Sequence, residues 1–343
     1  MHARSLLAAA ALLVLCCGQA AARDLSVVVR APGQEALEKV FIHPFSAATG
    51  IPVQSASWEG GLDTLRAQLK APDNTWDLVL VDADELASGC SEGLFEKLDW
   101  SAIGGKDHYL SQAVSDCGVG ANVASTVLAW DRDKFPAAPS WSDFWDVAKY
   151  PGKRGLHRGV HGNLEFALMA DGVAPGDVYK VLGTSEGVDR AFRKLDQLKP
   201  YIVWWQDDAE AAHILATGDV LMTSASASDI TMVNRNERRN FGLQWAASLY
   251  EVQSWVVLKG SPNLRTALQL LYFMGTPAIE GRSVLVSGDG GLAKGANDWP
   301  NPEVAQISPT APANLSAGVR IDAGFWHDNQ PKLRQRFDSW LTH

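Results

Sequence analysis

The chain has 343 residues, of which 46% are hydrophobic, and a formal net charge of −9 at pH 7. That length exceeds what one core usually serves, and the apolar content is enough to fill two compact lobes, so a disordered chain and a metal-dependent miniature scaffold are excluded. The acidic balance argues against nucleic acid as a partner.

Residues 1–22 read as a secretory signal, with Arg4, an apolar run from Leu6 to Leu15, and Ala20-Ala21-Ala22 ahead of Arg23. The run is shorter than the roughly 20 residues of a spanning helix. Cleavage is expected after Ala22, giving a secreted, periplasmic chain that starts at Arg23 with a net charge of −10, because the signal carries Arg4 and no acid. Lipid attachment at Cys16 or Cys17 would put Leu15 or Cys16 where a small residue is wanted. Cys90 and Cys117 then remain as an even pair in an oxidising compartment and are read as a disulfide. No CxxC or Cys/His spacing suggests zinc, and no metal or cofactor is expected.

In chain order, DLSVVVR (24–30) reads as a buried strand and Pro32-Gly33 as a turn. An amphipathic helix over Gln34–Thr49, closed by Gly50, leads to the strand IPVQSAS. Gly60-Gly61 introduces a helix over Leu62–Lys70, and TWDLVLVDA follows as a near-continuous apolar strand. Strand and helix alternating through short links predict a parallel α/β sheet covered on both faces. Asp82 and Asp84 fall at the carboxyl end of that strand, the edge where open α/β sheets bind ligands.

VLAWDRDKF (127–135) reads as a crossover strand. Ser140 caps an aromatic helix bearing Trp141, Phe144 and Trp145, Pro151-Gly152 stops it, and Arg154–Leu156 restart as a strand. A helix over Leu164–Ala170, two amphipathic helices before Pro200, the strand YIVWW, a helix over AEAAHILATG, and strands over Asp219–Ser224 and Phe241–Ala246 follow. SWVVLKGSPN reads as the return crossover, LRTALQLLYFMG as a helix, and the tail from Val319 ends as an amphipathic helix. The expected organisation is signal 1–22, a first lobe of 23–129 and 259–343, and a second lobe of 130–258. Two crossings, near Ala129–Asp133 and Trp255–Lys259, imply a hinge.

Several of these stretches carry a resemblance. SWSDFWDVAKYPGKRGL resembles the start of the second lobe in bacterial spermidine/putrescine-type solute-binding proteins of ABC transporters. PFSAATGIPV, GGLDTLRAQLKAPDNTWDLV, GCSEGLFEKLD and DCGVGANVASTVLAWD resemble that family's first-lobe segments, the last two with a matching cysteine pair. The resemblance implies a type II periplasmic-binding-protein fold, in which two α/β lobes are joined by two hinge crossovers. It also implies a monomeric receptor that closes on a small amine-containing solute and delivers it to a membrane permease.

An enzyme is the rival class, yet the sequence has no GxSxG, HExxH or GxxxxGK[ST], and no catalytic residue is assigned. A metal receptor would need clustered Tyr/His ligands, and the six tyrosines are scattered. His157 and His161 are four apart, but Arg158-Gly159-Val160 between them argue against one helix face.

For a receptor, Trp205 offers an aromatic face to an alkylammonium, worth about 0.5–2 kcal/mol, beside a carboxylate such as Asp208. The plainer reading packs the tryptophan inward and uses Asp207 and its neighbour as helix caps. In the loop SASASDI, Ser226 stands where the family usually sets an aromatic residue, and Asp229 is a candidate amine ligand. Tyr250, Glu251 and Gln253 resemble the segment that normally contacts the ligand amine, with Gln253 nearest the usual acid. Arg30, after the first strand and before a helix, suits an anionic group, or else pairs with Glu35 or Glu38. Trp58, Glu59, Asp82, Asp84 and His161 complete the candidate set. The departures at Ser226 and Gln253, with Arg30, leave a polyamine and a zwitterionic amino compound both open.

Overall fold

The computed structural model describes residues 23–342 except 31–32, 73 and 299–301. The signal, its cleavage after Ala22, Cys16, Cys17 and Pro32 lie outside the described residues. One sheet runs through both lobes in the order β2-β1-β3-β8-β4-β7-β5-β6, with β9 beside β8. The first lobe holds β1 (Leu25–Arg30), β2 (Val53–Trp58) and β3 (Leu78–Val81), with β1 parallel to both others. The second holds β5 (Arg154–His157), β6 (Ile202–Trp205) and β7 (Met222–Ser226), with β5 parallel to both others. Side chains of β1 and β3 are almost wholly buried, as expected for a sheet covered on both faces.

Two long antiparallel strands join the halves: β4 (Gly118–Asp131) and β8 (Phe241–Val257). The sequence reading split β8 into a short strand at 241–246 and a crossover, but it is one 17-residue element. It also placed the crossings near 129–133 and 255–259. In the structure Asp131 pairs with Phe241 and Gly118 with Val256, so those positions sit at opposite ends of one ribbon. Between them the register slips twice, at Gly120/Asn122 and at Thr126/Leu128. At the second slip Ala247 takes φ 59°, a left-handed conformation that costs a non-glycine residue energy. The Trp141 indole holds that kink by donating to the Ala247 carbonyl at 2.9 Å.

Each lobe has its own core. Val27, Phe45, Leu78, Trp255 and Leu270 lie in the first, and Phe144, Leu156, Phe166 and Leu195 in the second. The aromatic helix Trp141–Trp145 is closed by a capping box between Ser140 and Asp143. Its Trp141 stacks on Phe166 with centroids 3.7 Å apart. The tail departs from expectation. β9 (Val319–Arg320) pairs with Leu249 and Tyr250, and the helix Ala323–Thr342 then buries Trp326, Leu333 and Phe337 in the second core. The chain therefore crosses between the halves a third time, and its last helix belongs with the second lobe. The apolar residues 326, 333 and 337 fall on one helical stripe, and the second lobe offers the aromatic partners: Trp204 lies against both Phe337 and Trp340.

Cys90 and Cys117 form a disulfide with α-carbons 5.8 Å apart, tying the helix Ala83–Ser91 to the start of β4. Closing a 27-residue loop adds about 3 kcal/mol by chain-entropy reasoning.

Candidate functional site

A cavity of about 940 Å³ opens between the lobes beside the β4–β8 ribbon. Its first-lobe wall is the turn after β3, with Asp82, Ala83 and Asp84. Thr126, Leu249 and Glu251 rise from the ribbon, and the second lobe supplies His157, His161, Asn163, Phe166, Trp205, Asp207, Asp208, Ser224 and Asp229. Ile321, Ala323, Trp326 and Gln330 close it from the tail.

Local folding explains this convergence. Parallel strands deliver their carboxyl ends to the cleft, and helices start there. Ala83–Ser91 begins after Asp82, Asn163–Ala170 after Gly162, and Asp208–Thr217 after Asp207. Asp82 and Glu85 make a capping box, and the Asp207 carboxylate accepts from the Glu210 amide at 2.9 Å. Asp207 is thus a helix cap, while its neighbour Asp208 projects into the cleft. The stretch read as a loop at SASASDI is instead the end of β7 followed directly by a helix, Ala227–Glu237, capped by Ser226, whose hydroxyl accepts from the Asp229 amide.

Of the candidate residues, Asp82, Asp84, His161, Trp205, Asp208, Asp229 and Glu251 line the cavity. The other six stand apart from its wall. Arg30 donates to Asp82 at 2.7 Å and to Glu85 at 3.2 Å, with its guanidinium 4.8 Å over the Trp58 ring. Its partners are neither Glu35 nor Glu38, and it is not a free anchor for a ligand anion. Gly60, at φ +90°, has no room for a Cβ because Arg30 lies against it. Trp58 is buried in the first lobe, edge-on to Trp76, and Glu59 is exposed. Gln253 donates to Asp82 at 2.9 Å, so both Asp82 oxygens are already engaged. Ser226 serves as the helix cap, and Tyr250 packs with the first core.

Electrostatics follow from crowding. Among the described residues six carboxylates line the cavity and no Lys or Arg does. Burial, reinforced by Asp82 and Asp84, pushes Glu251 up to about 8 despite Arg30. Burial with Asp229 and Asp207 nearby raises Asp208 to about 6, and burial raises Asp229 against the Ser226 hydroxyl. Just behind them Asp289, which accepts from Asn122 at 3.2 Å, is raised by burial to about 7. Burial lowers His161 to about 4 and also lowers His157, so both are neutral at pH 7. Two ring nitrogens in the wall, His161 Nε2 and Trp205 Nε1, are buried with no hydrogen-bond partner. Buried polar atoms are normally paired, so these two are exceptions among the residues that line the cleft.

The sequence reading missed Asn163, Phe166, Trp326, Gln330 and Asp289. Only the tail residues left a sign: Trp326 and Gln330, four apart on a helix, share one face.

A pH effect follows. Acids raised in the folded state keep protons that the unfolded chain has released. Their stabilisation is therefore complete below the unfolded values and is lost as pH rises through the folded ones. Lowered His161 works in the opposite sense between about 4 and 6.5, leaving the acids in control above that window. The unliganded melting temperature should fall between pH 6.5 and 8.5, and Glu251→Gln should flatten the slope. A melting temperature that rises over this range would contradict it.

The profile of the family described as bacterial extracellular solute-binding protein matches residues 41–306. The gamma-aminobutyric acid-binding protein of Pseudomonas aeruginosa is 38% identical over 343 residues, covering 99% of this chain and 97% of that protein. Among solved structures, an ABC transporter substrate-binding protein from Bradyrhizobium japonicum superposes with a TM-score of 0.81 at 30% identity, covering 93% of this chain and 99% of that one. The Atu4243-GABA receptor also gives 0.81, at 28% identity, covering 93% and 98%. Among the described residues no helix is long and apolar enough to cross a membrane. The order of elements, the inter-lobe cleft and these matches agree: the chain belongs to the bacterial extracellular solute-binding proteins, the substrate-binding proteins of ABC transporters.

Proposed function

We propose that this chain is a periplasmic receptor, monomeric and released by cleavage after Ala22, that closes on a short ω-amino acid such as γ-aminobutyrate and presents it to an ABC permease. The observation that carries this reading is the pairing of opposite chemistries in one cavity. Carboxylates that make no salt bridge among the described residues, foremost Asp208, Asp229 and Glu251, suit an ammonium group. The partnerless ring nitrogens of His161 and Trp205, beside the amino ends of two helices, suit a carboxylate. The γ-aminobutyrate-binding relative at 38% identity supports the same class. Ligand bridging the two walls would favour closure about the β4–β8 ribbon.

A second reading, a diamine or polyamine, is favoured by the six carboxylates and the absence of a lining Lys or Arg. It is the narrower type suggested by the sequence resemblance. Ser226 weakens it, because a long flexible amine loses conformational freedom that an aromatic wall at that place would offset. A thermal-shift panel separates the two. A ligand at 100 times its dissociation constant adds about 2.7 kcal/mol of stability. γ-Aminobutyrate and its close homologues should raise the melting temperature by several degrees and spermidine should not. The reverse order would overturn the ω-amino acid reading.

A further inference from the structure

The family match ends at residue 306, yet four residues beyond it line the cleft, Trp326 and Gln330 among them. The tail therefore contributes to ligand contact as well as to packing. Trp326 is 2% exposed and lies flat against His161, with ring centroids 3.8 Å apart and planes 21° apart. Its Nε1 donates to Glu165 Oε1 at 2.9 Å, and the Tyr179 hydroxyl donates to the same oxygen at 3.0 Å. Glu165 is fully buried, has no cationic partner, and leaves Oε2 without a hydrogen bond. An isolated charge there is costly, so burial favours the neutral acid. Burial pushes it up to about 7, in the same direction.

These contacts form a chain from the core to the cavity: Glu165 fixes the Trp326 indole, the indole fixes the His161 imidazole, and His161 lines the cleft, its buried Nε2 without a partner. Leu333 and Phe337 anchor the helix behind it in the second core.

We infer that the C-terminal helix sets the specificity of the cleft, with Trp326 holding His161 toward the anionic end of the ligand and Glu165 acting as a positioning residue. This rests on the ω-amino acid reading. A neutral imidazole in that place can donate to a carboxylate, whereas it has no charge with which to hold a second ammonium group. The imidazole donor should therefore matter for γ-aminobutyrate and little for putrescine, a chain of similar length with an ammonium at each end.

The test is calorimetry of the full mature protein with γ-aminobutyrate and with putrescine, alongside melting curves without ligand. Trp326→Leu and Glu165→Leu should each lower the preference for γ-aminobutyrate over putrescine about 10-fold or more, since a fixed donor to a charged group is lost. Glu165→Gln, whose amide oxygen still accepts from Trp326 and Tyr179, should stay within about threefold of wild type. His161→Phe keeps the ring stack and removes the nitrogen. It should reproduce the lost preference even if the Trp326 variant does not fold. Variants in which both affinities fall in step, so that the ratio is unchanged, would show a purely structural role and overturn the inference while leaving the ω-amino acid reading intact. Wild-type protein that prefers putrescine would overturn both.

Discussion

Replacing Asp208 and Asp229 together by asparagine is expected to weaken γ-aminobutyrate binding by about 100-fold or more. Each carboxylate offers an ammonium a charge-assisted hydrogen bond, worth about 1.5–3 kcal/mol, and 1.4 kcal/mol is a factor of 10. The same change separates loss of binding from loss of folding. Asp208 and Asp229 repel each other and Asp289, and burial already holds all three above their ordinary range. Neutral side chains remove that repulsion, while the Ser226 cap uses the backbone amide at 229 and survives. The unliganded melting temperature should therefore hold or rise as affinity collapses. Affinity within about threefold of wild type, measured by calorimetry, would contradict the assignment of these two acids.

Asp77→Ala is expected to destabilise the first lobe by roughly 3 kcal/mol, about 10 °C in melting temperature, with little direct effect on the cleft. The Asp77 carboxylate is completely buried and accepts from four groups. Arg23 reaches it at 2.5 and 2.9 Å, Ser261 at 2.6 Å, Asn263 at 2.9 Å and the Ser26 amide at 3.0 Å. Removing the carboxylate leaves the buried donors of Ser26 and Ser261 without partners, at about 1 kcal/mol each, and costs Asn263 its shortest bond, although its amide still reaches the Arg23 and Asp24 carbonyls at 3.2 and 3.3 Å. Arg23 stays partly in water and adds less. The network joins the first strand, the start of β3 and the helix that follows β8, so its loss should be felt as global unfolding. A shift below about 3 °C in a thermal melt would show that neighbouring groups or water satisfy these donors after all.

The network also shows why the first lobe was legible from sequence. DLSVVVR and DLVLV are apolar runs flanked by glycine and proline turns, and a run of that kind has one use in an α/β sheet. Ser140 and Pro151-Gly152 bounded the aromatic helix for the same local reason. The hinge was less legible. β8 carries Gln244, Ser248, Glu251 and Gln253 along its length, so its apolar pattern breaks where the ribbon passes the open cleft, and one strand read as two elements. The tail was misplaced because an amphipathic stripe shows that a helix is packed without showing against what.

Within the site, Asp82, Asp84 and Trp205 were legible because topology brings the carboxyl ends of parallel strands together. Arg30 and Gln253 were read toward the ligand, but each is engaged by the first-lobe carboxylate Asp82, and no local pattern foretells that both would converge there. Trp326, on the cleft wall, and Asp289, behind it, come from segments far along the chain, and only tertiary packing brings them there.

The central claim is that one cavity holds an ammonium group at one end and a carboxylate at the other. The most direct measurement is a calorimetric comparison of three molecules of matched length at pH 7: γ-aminobutyrate, butylamine and putrescine. γ-Aminobutyrate should bind at least about 100-fold more tightly than either amine, because only it satisfies both the acids and the partnerless nitrogens of His161 and Trp205. Putrescine binding as tightly as γ-aminobutyrate, or more tightly, would contradict the account.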